Sequence, residues 1–212
     1  MKIRVLLADD HTLMREGLRA LLGTAADIEV VGEVRTGREA EQKAPRLDPH
    51  VVLMDIAMPD LNGIEATRLI HAKCPAVRIV ILSMHATTEY VYRAFEAGAC
   101  GYLLKEMAVG EVIAAVRAVH RGGTYLSPAL AAVMPDPTSG HVRGPVDSLS
   151  TREKQVLQLV VEGRTSNDIA KMLCLSPKSI DTYRSRLMTK LGVRDISSLV
   201  KFALEHGLTS PN

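Results

Sequence analysis

A chain of 212 residues with 47% hydrophobic and 24% charged residues has the length for one large domain or two small ones, and the composition of a protein that buries a core. No apolar run approaches the ~18 residues needed to cross a bilayer, and MKIRVLLADD meets two carboxylates before any cleavage-like site, so neither a membrane span nor export is expected. Cys74, Cys100 and Cys174 are far apart and form no CxxC pair, which argues against a disulfide framework and for a cytoplasmic location. The net charge of +2 is unevenly divided. From Ser148 onward, 10 Lys and Arg stand against 6 Asp and Glu, whereas the rest of the chain is mildly acidic. A basic end suggests nucleic acid as a partner, although an ordinary solvated surface gives the same count.

Short β-rich runs are predicted at residues 2–8, 28–34, 50–54, 77–82 and 101–104. Several are apolar at consecutive positions, as strands covered on both faces must be. Amphipathic stretches at 13–22, 38–44, 64–73, 87–97 and 109–121 alternate with them, which implies right-handed crossovers and an α/β fold with a doubly wound five-stranded parallel sheet. Residues 127–147 hold four prolines and two glycines and read as a linker, with one short helix at 128–133. The expected division is a domain at 1–126, this linker, and an all-α domain at 148–212.

Ligands of such a sheet sit at the carboxyl ends of its strands. There the sequence places Asp9 and Asp10 after the first strand, Asp55 after the third, Ser83 after the fourth and Lys105 after the fifth. With strand order 2-1-3-4-5 they converge. Clustered carboxylates repel one another unless a hard cation lies among them, and Mg²⁺ prefers such oxygen ligands. Lys105 and Ser83 add a positive charge and a hydroxyl, so the pocket suits phosphoryl chemistry on a carboxylate. Each residue alone could be an ordinary loop residue. An aspartyl-phosphate phosphatase would want D-x-D, but Ala57 follows Asp55 by two. A flavin phosphate would be repelled by Asp9 and Asp10. The histidines, His85 among them, show no metal-ligand spacing and read as loop or surface residues.

The pair DD, MDIAMPDLNG around Asp55, ILSMHA at Ser83 and GYLLK at Lys105 resemble the receiver domain of two-component response regulators, over about residues 1–121. That resemblance implies a flavodoxin-like sheet and phosphorylation of Asp55 by a sensor histidine kinase. It further implies Mg²⁺ held by Asp10, Asp55 and the backbone carbonyl of Ala57 with Asp9 adjoining, phosphoryl contacts from Ser83 and Lys105, and Tyr102 as the switch aromatic, turning inward on phosphorylation.

In the carboxy-terminal part, Ser150–Glu153 is a capping box with Gly163 as the stop, residues 165–168 open a short second helix, Ser176 and Pro177 start a third, and 196–204 a fourth. Ile180, Tyr183, Leu187 and Leu191 form the inward stripe of the third helix. Its outward face holds Lys178, Asp181, Thr182, Ser185, Arg186 and Thr189. This is a helix-turn-helix pattern suited to the major groove; an ordinary solvated helix in a protein-binding bundle is the alternative. LSTREKQVLQLVVEGRTSNDIAKMLCLSPKSIDTYRSRLMTKLGV is similar to the LuxR/NarL-type DNA-binding domain. The similarity implies base reading by Asp181, Thr182 and Ser185 and phosphate contacts by Lys178, Arg184, Arg186 and Lys190, with Arg184 reaching out from the buried side. The two resemblances together imply a transcriptional response regulator that is not an enzyme, and whose active form is a homodimer on double-stranded DNA. In its resting state the receiver is expected to cover the recognition helix or to keep two effector domains from pairing.

Overall fold

In the computed structural model, which describes residues 1–106, 108–132 and 145–205, the first strands are β1 (Ile3–Ala8), β2 (Ile28–Val34), β3 (Val51–Asp55), β4 (Arg78–Ser83) and β5 (Gly101–Leu104). They form one parallel sheet in the order β2-β1-β3-β4-β5, extended by a sixth strand, β6 (Tyr125–Leu126), beside β5. The sequence gives no sign of β6, because two residues have no alternation to read. Its pairing comes from Tyr125 N–H donating to the Cys100 carbonyl and Ser127 N–H to that of Tyr102, each at 3.0 Å.

Consecutive burial along the strands has the expected cause. Val5, Leu7, Val51, Leu53, Val80 and Leu82 pack on one face, under α1 (Thr12–Gly23) and α5 (Ala108–His120). Leu6, Ala8, Val52, Met54, Ile79 and Ile81 pack on the other, under α2 (Gly37–Leu47), α3 (Gly63–Lys73) and α4 (Thr88–Glu96). Each central strand thus alternates between two hydrophobic layers and reads as unbroken apolar sequence. At the carboxyl end of β3 the chain turns through a loop so close to itself that a Cβ on Gly63 would lie 1.9 Å from the Asp55 carbonyl oxygen. Only glycine fits there.

Within 127–147, α6 (Pro128–Ala131) brings Leu130 into the sheet's core and Ser127 is fully buried. Residues 133–144 lie outside the described residues. A single 3-10 turn at Pro145–Ser148 then leads Val146 into a separate helical core. That core is built by α7 (Thr151–Val161), α8 (Ser166–Leu173), α9 (Pro177–Leu191) and α10 (Ile196–Glu205). The side chains of Ser150, Thr165 and Ser176 cap α7, α8 and α9 as their sequences predict, and Gly192 at φ 66° closes α9. Among the described residues, no helix is long and apolar enough to cross a membrane.

Candidate functional site

Strand register assembles the first site. Asp55 pairs with Leu82, and Ser83 with Leu104, so Asp55, Ser83 and Lys105 are delivered to one edge of the sheet. Lys105 Nζ lies 3.0 Å from Asp9 Oδ2 and 2.8 Å from Asp55 Oδ2, with all three residues buried. Burial pushes the Asp55 carboxyl above its usual range; Lys105 opposes this and Asp9 adds to it. Burial also works against the charge of Lys105, but Asp55 and Asp9 outweigh it and hold the ammonium above its ordinary value. Asp10 is half-buried beside them, and Ala57 N–H donates to Asp55 Oδ1 at 3.4 Å.

Asp9 Oδ2, Asp10 Oδ1 and Asp55 Oδ2 are buried and make no hydrogen bond of good geometry. Three carboxylates against one ammonium leave an excess of negative charge, and this donor set fits a hard divalent cation. The histidine reading needs correction at this point. His11 Nδ1 lies 2.9 Å from Asp10 Oδ1 and 3.2 Å from Asp9 Oδ1, so His11 joins the carboxylates. The available signal was its position directly after Asp10, at the start of α1.

Ser83 Oγ accepts from the His85 amide at 3.0 Å. Tyr102 is fully buried and its hydroxyl donates to the His85 carbonyl at 2.8 Å. The expected inward turn of Tyr102 is therefore already made without a phosphoryl group. Burial raises its phenol well above the usual tyrosine range, against an opposing hydrogen bond with Ser83.

On α9, Lys178, Asp181, Thr182, Ser185 and Arg186 are exposed, whereas Ile180 and Leu187 are buried as the helical period requires. Two predicted phosphate contacts are engaged within the domain instead. Lys190 Nζ pairs with Glu153 at 2.8 Å, and Arg184 Nη1 donates to Ser166 Oγ at 3.0 Å. Ser166 in turn donates to Asp181 Oδ1 at 2.8 Å, so this chain of polar groups fixes α8 against α9. Asp181, Arg184 and Ser185 also line an open groove with Arg194. Sequence reasoning passed over Arg194 because it follows Gly192, beyond the helical pattern.

The two cores meet at α7 rather than at α9. Gln158 Oε1 accepts from the Asn62 amide at 2.7 Å while its Nε2 donates to the Met58 carbonyl at 2.8 Å. Glu162 Oε1 accepts from the Asp60 amide at 3.1 Å, and its carboxyl is raised chiefly by burial. Lys154 forms a buried ion pair with Glu65 at 3.2 Å, and Arg164 lies 3.6 Å from Asp60 Oδ1. Met58, Asp60 and Asn62 belong to the loop that leaves Asp55. Among the described residues, the receiver does not cover the recognition helix as expected: the grip falls on the first helix of the domain, and the outward residues of α9 are exposed.

Comparison with known proteins places both halves. The family model for the response regulator receiver domain matches residues 5–117, and the model for bacterial regulatory proteins of the luxR family matches residues 147–203. The transcriptional regulatory protein MctR of Rhizobium johnstonii is 39% identical, covering 99% of this chain and 96% of MctR. The response regulator UvrY of Escherichia coli is 38% identical over 97% of this chain and 95% of its own. Among solved structures, the response regulator RcsB in complex with DNA is 27% identical with a TM-score of 0.60, covering 95% of this chain and 98% of that one.

Proposed function

Because the chain belongs to the response regulators that join a receiver domain to a luxR-type helix-turn-helix, we propose that Asp55 is its phosphoacceptor and that α9 reads DNA under the control of that phosphoryl group. The protein is a transcriptional regulator and not an enzyme. The observation that carries the site assignment is the sharing of one buried ammonium by the buried carboxylates of Asp9 and Asp55. A carboxylate oxygen of Asp55 attacks phosphorus, and the histidine nitrogen of a sensor kinase departs. Asp9, Asp10, Asp55 and the Ala57 carbonyl would hold Mg²⁺, which would supply charge screening between carboxylate and phosphoryl oxygens. Lys105 pairs with a phosphoryl oxygen in place of a carboxylate, and the Ser83 hydroxyl turns from its local partners to donate to another.

Control passes through the loop at 57–62. One end follows directly from Asp55, where the Ala57 carbonyl would join the metal ligands, and its amides at Asp60 and Asn62 are held by Gln158 on α7 and by Glu162 at its C-cap. Any movement of that loop on phosphorylation strains the grip, and release of α7 frees the helical domain to pair with that of a second copy on double-stranded DNA. Residues 127–147, in which Ser127 and Val146 are buried, act as the tether between domains at 1–126 and 148–212. The expected setting is the cytoplasm, where kinase and DNA are both accessible.

On α9, Asp181, Thr182 and Ser185 face the bases. Lys178 and Arg186 meet phosphates, joined by Arg194; Arg184 and Lys190 do so only after leaving Ser166 and Glu153. Sequencing DNA fragments selected by the phosphorylated protein tests this reading, and enrichment of no motif would count against it. On the selected duplex, Arg186→Ala should weaken all sequences alike and reduce the salt slope by ~1, whereas Thr182→Ala should change base preference. A changed base preference with an untouched slope in Arg186→Ala would reverse the sorting.

A further inference from the structure

His11 occupies the N-cap of α1, a position where Ser, Thr, Asp or Asn normally satisfies a free amide, yet its side chain makes no capping hydrogen bond. The imidazole turns away from the helix and toward the carboxylates. Nδ1 stands 2.9 Å from Asp10 Oδ1, 3.2 Å from Asp9 Oδ1 and 3.8 Å from Asp55 Oδ2. Ligands at about 2.1 Å from a common octahedral centre are spaced by about 3 Å along the edges of the polyhedron. The first two separations match such edges, the third falls between an edge and the about 4.2 Å diagonal, and the four residues offer ligand atoms within 4.8 Å of one another. Lys105 pairs with Asp9 Oδ2 and with Asp55 Oδ2, and leaves Asp9 Oδ1 facing His11.

We propose that His11 Nδ1 is a fourth side-chain ligand in this pocket and gives it selectivity for imidazole-binding first-row dications, such as Mn²⁺, over Mg²⁺. The inference rests on the carboxylate pocket assigned above. Mg²⁺ is hard and well served by oxygen, so it gains little from a ring nitrogen, whereas imidazole suits the later dications. Because the His11 side chain is 62% exposed, its replacement leaves the core intact.

The test is Mn²⁺ binding to the full-length protein, followed by electron paramagnetic resonance and by competition with Mg²⁺, in wild type, His11→Ala and Asp55→Asn. Wild type should show ¹⁴N modulation on the bound Mn²⁺. His11→Ala should lose that modulation and bind Mn²⁺ roughly tenfold more weakly, while its Mg²⁺ affinity changes less than twofold. An absent ¹⁴N signal in wild type, or an unchanged ratio of Mn²⁺ to Mg²⁺ affinity in His11→Ala, overturns the proposal. If neither ion binds wild type, or Asp55→Asn binds both as well as wild type, the pocket assignment itself fails. That outcome is distinct from the loss of selectivity alone.

Discussion

Asp55→Asn should abolish labelling by a small phosphodonor such as acetyl phosphate, and chelation of divalent cations should do the same to the wild type. The amide keeps the shape of the side chain and its place beside Lys105, but it offers no anionic oxygen to attack phosphorus and is a weaker ligand for a hard cation. The elevated Asp55 carboxyl also fixes the direction of a pH effect. As pH falls through that raised value the carboxyl takes up a proton and loses its nucleophilic form, so labelling weakens on the acid side and recovers as pH rises. Intact mass before and after incubation with the phosphodonor measures this. Equal labelling of wild type and Asp55→Asn would place the phosphoacceptor elsewhere.

The second large effect is expected at the junction of the two cores. Lys154→Ala removes the nearer of two cations that face Glu65, a carboxylate only 1% exposed, the other being Arg68 at 3.7 Å. Breaking a buried pair from one side costs up to about 3–5 kcal/mol when the remaining charge stays without a partner, and less here because Arg68 Nε still faces Glu65 Oε2. Here the molecule has a cheaper outcome than unfolding, since separating α7 from α3 returns Glu65 to water. The loss is therefore capped at the free energy of docking. Hydrogen exchange at the Asp60 and Asn62 amides reads it directly, because both donate to α7 side chains. Their protection should collapse in Lys154→Ala while the amides of β3 and β4 remain protected. Gln158→Ala, which removes its two hydrogen bonds to the loop, worth about 1 kcal/mol each, and one to Glu162, should give a smaller loss. Unchanged protection at Asp60 and Asn62 in Lys154→Ala would mean that the grip of α7 does not hold the loop.

These two sites differ sharply in how far they could be read from sequence. The pocket was legible because each of its residues follows a strand that is buried on both faces. Apolar runs locate the strand ends, and the parallel order brings Asp9, Asp55, Ser83 and Lys105 to one edge. The helices of the second core were legible through their caps, since Ser150, Thr165 and Ser176 each accept the predicted amide. The junction was not. Lys154, Gln158 and Glu162 repeat every four residues from α7 to its C-cap, and the structure satisfies Gln158 and Glu162 with backbone groups, and Lys154 with the Glu65 carboxylate, all distant in the chain. For Gln158 and Asn62 the separation is 96 residues. Helical periodicity reports which side chains share a face and carries no information on whether that face meets water or the amides of a distant loop.

Smaller departures have equally local causes. Pro45 suggests the end of α2, yet the helix continues to Leu47, and the Asp48 amide still reaches the Ala44 carbonyl at 3.1 Å. A proline in the last turn forfeits its own amide bond but does not prevent those that follow it. Lys190 and Arg184 were placed by charge and helical position, which could not show that Glu153 and Ser166 stand within reach.

The central claim is that the receiver restrains the DNA-binding domain by holding α7, while the recognition face of α9 is already open. It is tested most directly by binding isotherms on the selected duplex for three samples: unphosphorylated full-length protein, full-length protein with phosphodonor and Mg²⁺, and residues 148–212 alone. The fragment should bind without phosphodonor at least as tightly as the phosphorylated protein, and both should bind more tightly than the unphosphorylated chain. A fragment that fails to bind even at concentrations where pairing is no longer limiting, or a full-length protein indifferent to phosphodonor, would contradict the claim and make the receiver a contributor to the DNA-binding surface.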